Sequence, residues 1–77
     1  MKIREVFARN LRRARNARGL SQEQLAHAAD LDRTYISALE RCRYSVSIDV
    51  LERLAKVLGE NESTLLERAI PRKSRSG

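Results

Sequence analysis

Cysteine occurs once in these 77 residues, proline once, tryptophan never, and glycine only three times. Each scarcity closes off a class of protein. A lone thiol, Cys42, excludes an internal disulfide framework, and one Cys with one His, His27, cannot fill a tetrahedral metal site. So few glycines leave no glycine-rich loop to cradle a nucleotide phosphate. One Phe and two Tyr form no stacking platform of the kind that reads single-stranded RNA. No apolar run approaches the ~20 residues of a membrane span. The N-terminal "MKIREVFARNLRRARNARG" is charged throughout, without the unbroken apolar region of a signal peptide. The chain is therefore expected in the cytoplasm, with no metal, cofactor or membrane partner, and nothing in it marks a small-molecule effector site. A core this small must be held by good helix packing or by self-association.

What is present is charge, unevenly placed. Residues 1–20 carry a balance of +6, residues 21–70 a balance of −3, and the tail "PRKSRSG" a further +3, for a net +6. A basic end on a mildly acidic body points to a polyanion met on one side, where a plain solvated basic helix is the bland alternative.

The periodicity is helical from end to end. Ile3, Phe7, Leu11 and Ala14 share one face of a first helix, with Arg4, Arg12 and Arg15 on other faces and Gly19 as its stop. Ser21 and Gln24 form an S-x-x-Q capping box for a second helix that turns Leu25, Ala26 and Ala29 inward. Asp32 caps a third, whose buried stripe is Ile36 and Leu39. Ser47 caps a fourth, with Ile48, Leu51, Leu54, Ala55 and Leu58 as its stripe and Gly59 as its end. "NESTLLERAI" reads as a short fifth helix, capped by Asn61 and stopped before Pro71. The expected architecture is all-α: five short helices in residues 1–70, followed by a disordered basic tail at 71–77.

The second and third helices are separated by only three residues, and the third leaves Arg33, Thr34, Ser37 and Ala38 facing outward. Two helices so joined describe a helix-turn-helix. With "LRRARNARGLSQEQLA", "YISALER" and "SIDVLERLAKVLG" in register, the chain resembles the Cro/repressor-type, Xre-like helix-turn-helix family over residues 3 to about 69. The resemblance implies a lambda-repressor-like DNA-binding domain. It assigns Asp32, Arg33, Thr34, Ser37 and Ala38 to base edges in the major groove. Arg33 is the leading reader, since a guanidinium donates two bonds to guanine O6 and N7. Gln22, Arg41, Arg43 and Ser47 match positions that meet the DNA backbone. Tyr35 either joins them through its hydroxyl or packs against the core edge.

Two departures stand out: Asp30 and Cys42 occupy positions where the family commonly has Gly. If Cys42 takes left-handed angles the cost is about 1 kcal/mol or more; otherwise the loop "RCRYSVS" follows another path. The thiol is structural or incidental, or else a redox sensor flanked by Arg41 and Arg43. "LDRTYISALER" also looks like the controller proteins of restriction–modification systems, which act as dimers on paired operators; a phage or plasmid repressor or an antitoxin-type regulator is the alternative. A contrasting class is a protein-interaction module. An enzyme is not expected, because Glu40, His27 and Ser37 have no cleft to form around. For a dimer, Val50, Val57, Leu65, Leu66 and Ile70 supply apolar surface beyond what the core requires.

Overall fold

The computed structural model describes residues 2–68. Their architecture is five helices: α1 Ile3–Ala17, α2 Gln22–Ala28, α3 Arg33–Glu40, α4 Ile48–Leu58 and α5 Glu62–Leu65. The all-α expectation holds, and Ser21, Asp32, Ser47 and Asn61 all sit at N-caps. Ser21 Oγ accepts from the Gln24 amide while the Gln24 side chain accepts from the Ser21 amide, completing the capping box. Asp32 and Ser47 accept from the amides of Thr34 and Val50. Asn61 makes no side-chain cap.

Helix ends are built alike. At α1, α2, α3 and α4 the chain leaves through one residue of positive φ: Gly19, Asp30, Cys42 and Gly59. The amide after each bonds back five residues, as Leu20 to the Arg15 carbonyl, Leu31 to Ala26, Arg43 to Ala38 and Glu60 to Ala55. This is the Schellman closure, which satisfies carbonyls the helix leaves open. Both positions where the resemblance implies glycine thus take left-handed angles, with φ of 58° at Asp30 and 60° at Cys42.

α1 packs against α3 and α5, α2 against α3 and α4, and α4 against α5. Phe7, Leu11, Leu25, Ile36, Leu39, Leu54 and Leu58 form the centre. Several sequence expectations change here. Ile3 is 49% exposed, and the inner face of α1 is completed by Val6, Ala8 and Asn10. Ile48 is 82% exposed. It shares a face with Leu51 but lies at the first position of α4, past the edge of the body that the helix covers.

α5 ends at Leu65 rather than running toward Pro71. The buried Asn10 side chain donates to the carbonyls of Leu65 (3.0 Å) and Glu67 (2.8 Å), ending the helix from across the core. Leu65, expected on a dimer surface, is 1% exposed and belongs to the monomer's core. A helix of four residues has one inward position, and closing the core uses it. The proposed tail at 71–77 and Ile70 lie outside the described residues.

Candidate nucleic-acid interface

The frame of the site is an ion pair that the sequence did not announce. Glu40 closes α3 with a side chain that is 0% exposed, and Arg15 of α1 meets it twice, Nε to Oε2 at 2.6 Å and Nη2 to Oε1 at 3.0 Å. The Arg15 Nη1 also donates to the Leu20 carbonyl, 2.8 Å away. Gln22 Nε2 donates to Glu40 Oε1 at 3.1 Å, and Arg12 approaches the same oxygen at 3.6 Å. One carboxylate therefore ties together α1, the α1–α2 turn, the start of α2 and the end of α3. Burial pushes the Glu40 carboxyl up, but the hydrogen bonds from Arg15 and Gln22 and the charges of Arg15 and Arg12 win, holding it below the usual carboxylate range. Arg15 is raised by its hydrogen bond to Glu40, against the opposing effect of burial.

Held on this frame, α3 buries Ile36, Leu39 and Glu40 and turns its other side to solvent. Arg33, Thr34 and Arg41 are exposed and Ser37 and Ala38 half-buried; the five share one helical stripe. Among the described residues Arg33 forms no ion pair. The structure thus brings the expected base-facing residues onto one surface. Asp32 stands at its edge, with one carboxylate oxygen committed to capping α3. Arg43 and Ser47 are exposed beyond the C-terminal end of α3, although the Ser47 hydroxyl oxygen caps α4. Gln22 stands beside Arg12 with part of its amide committed to Glu40.

Tyr35 packs at the core's edge, its ring tilted 39° against Tyr44 with centroids 6.2 Å apart. Tyr44, 59% exposed beside Arg43, is a surface aromatic that sequence reasoning passed over. Cys42 Sγ lies 3.6 Å from the Arg4 carbonyl, so the α3–α4 loop rests on the basic start of α1. Among the described residues no group of three His, Cys, Asp or Glu is placed to hold a metal, and no helix is long and apolar enough to cross a membrane.

Because Cys42 pays for its φ of 60° without glycine's freedom, Cys42→Gly is expected to stabilise the fold by about 1 kcal/mol. A higher urea midpoint with an unchanged slope is the expected reading. A lower midpoint would mean that the thiol's contact with α1 outweighs the relief of strain.

This two-helix geometry, with a short turn and an outward polar stripe on the second helix, is that of a helix-turn-helix. The chain belongs to the helix-turn-helix family HTH_3, which matches residues 11–65. It is 46% identical over 68 residues to the control protein C.SmaI of Serratia marcescens, covering 88% of this chain and 81% of that one. Among solved structures it resembles the hypothetical transcription factor NHTF from Neisseria, with a TM-score of 0.85 and 40% identity over 95% of this chain and 82% of that one. It also resembles the restriction–modification controller protein C.Esp1396I, crystallised as a tetramer in complex with its natural 35 base-pair operator. That likeness has a TM-score of 0.76 and 31% identity, over 84% of this chain and 86% of that one.

Proposed function

We propose that this protein is a sequence-specific regulator of transcription that binds double-stranded DNA as a homodimer, and that it is a controller protein of a restriction–modification system. The outward stripe of α3 carries the reading: Arg33, Thr34, Ser37 and Ala38 stand together on a helix whose inner side is locked into the core. A helix presented this way fits the major groove, where each base pair displays its own pattern of donors and acceptors. Arg33 reads a guanine, Thr34 and Ala38 meet base edges or a thymine methyl, and Asp32 and Ser37 border them. Arg41, Arg43, Gln22 and Ser47 flank the stripe and take the phosphates, and Tyr35, packed at the core's edge, leaves Tyr44 as the exposed ring beside them. The protein acts by binding in the cytoplasm rather than by catalysis, and its likeness to C.SmaI and C.Esp1396I supports the controller assignment.

Selection of bound sequences from a random duplex pool tests this directly. The expected product is a pseudo-palindrome with half-sites about 34 Å, one duplex turn, apart. Arg33→Ala is expected to weaken the selected site about 10- to 100-fold and relax preference at one guanine per half-site. Arg43→Ala should weaken all duplexes alike and lower the salt slope by about 0.9 per protomer, or about 1.8 for the dimer. An unchanged consensus with Arg33→Ala would overturn the docking of α3; binding indifferent to salt would favour a protein partner instead.

A further inference from the structure

The turn that sets the angle between α2 and α3 is held from outside itself. Arg53, on α4, donates from Nη1 to the carbonyls of Ala29 and Asp30, each at 3.2 Å. Ala29 is the C-cap of α2 and Asp30 is the residue at φ 58° that turns the chain toward α3. Two effects converge on this contact. The carbonyl end of a helix carries partial negative charge, which a guanidinium complements. Left-handed conformation also costs a non-glycine residue something, Asp less than most, so contacts that hold it there favour the turn.

We propose that Arg53 is a positioning residue for DNA recognition: by clamping the strained Ala29–Asp30 turn to α4, it fixes the direction in which α3 leaves and so the pose of its base-reading stripe. This rests on the regulator reading above. Only three residues, Ala29, Asp30 and Leu31, lie between the end of α2 and the Asp32 cap, so a change of backbone angle at Asp30 swings the whole of α3. α4 is the natural anchor. Leu51, Leu54, Ala55 and Leu58 fasten it into the core on one side, leaving Arg53 to reach back over α2. The clamp also explains how the chain does without glycine at this turn: the hydrogen bonds from Arg53 offset the strain that Asp30 brings.

The test uses Arg53→Met in the full chain, which keeps an apolar stem and removes the donors. In the free protein, amide hydrogen exchange at Asp30 and Leu31 should quicken about tenfold, the order of a charged hydrogen bond lost. Exchange in α1, at Leu11 for example, should stay unchanged. Affinity for the selected operator should fall by a similar factor with an unaltered salt slope. Adding Asp30→Gly, which removes the strain, should restore most of that affinity.

Unchanged exchange at Asp30 and Leu31 overturns the clamp. So does a salt slope shallower by about 1.8, about 0.9 for each protomer of the dimer, which would make Arg53 a phosphate contact, and so does a double variant that binds no better than Arg53→Met. The exchange measurement needs no DNA. A wild-type chain that selects no duplex would therefore refute the regulator reading, separately from any failure of the clamp.

Discussion

Glu40→Ala is expected to remove about 3–5 kcal/mol of folding stability, the usual consequence of leaving a buried charge without its partner. The stranded group is Arg15, whose side chain is only 13% exposed and loses both of its bonds to the carboxylate. Gln22 and Arg12 lose their common acceptor at the same time. Against a total of about 5–15 kcal/mol for a typical domain, such a loss leaves the fold marginal. Glu40→Gln should fall between, since it keeps the shape and one carbonyl acceptor. The double replacement Arg15→Leu with Glu40→Leu should recover part of the loss, because removing both charges leaves neither one buried alone.

The same pair sets a pH dependence with a definite sign. Glu40 is held below the ordinary carboxylate range in the folded chain, so its contribution is fully present above the unfolded value, about 4.3 for a free Glu. It drains away as pH falls through the lower folded value. Urea midpoints of the wild type should therefore decline on acidification below that range, and those of Glu40→Gln should decline less. Equal acid limbs in the two proteins would show that the carboxylate carries no special charge burden. A Glu40→Ala variant as stable as wild type at neutral pH would refute the frame itself.

The helices, their caps and their order were legible because those signals are local. Ser21 with Gln24, Asp32, Ser47 and the i, i+3, i+4 stripes of α2 to α4 each act within a few residues. The outward stripe of α3 was legible for the same reason. The Arg15–Glu40 pair was not, since its partners are 25 residues apart and each alone resembles an ordinary surface charge on an amphipathic helix. Asn10 hid similarly: an amide on the inner face of α1 finds its acceptors 55 and 57 residues away. Arg53's grip on the α2–α3 turn belongs to the same kind. Periodicity also says which side of a helix faces in without saying how far along the helix the covering body extends. That is why Ile3 and Ile48, each at the first position of its helix, were read as core and stand exposed.

We propose that the dimer surface lies at these exposed positions, and this sets the second large effect. Val50 and Val57 are half-buried and packed against the monomer's core, and Leu65 lies within it. Ile3 and Ile48 are the exposed large aliphatic side chains among the described residues, and both line a cavity of 260 Å³ with buried Phe7 and Leu51, half-buried Val46 and Leu66, and Arg4 and Ser45, where the starts of α1 and α4 meet the end of α5. Ile48 is the natural anchor of a two-fold contact there, its side chain standing free on a helix end that the core fixes. Ile48→Glu is expected to leave the monomer's stability unchanged, since the site is exposed and a carboxylate suits a helix N-terminus. The wild type should sediment as a dimer at micromolar concentration and the variant as a monomer. Operator affinity should then fall roughly 100-fold or more, because two tethered recognition helices gain that order over one. Val57→Glu should behave oppositely, lowering the urea midpoint before it alters sedimentation of the protein that remains folded. A dimer that survives Ile48→Glu would move the interface away from this patch, and a monomeric wild type would remove the tether on which occupancy of a paired operator depends.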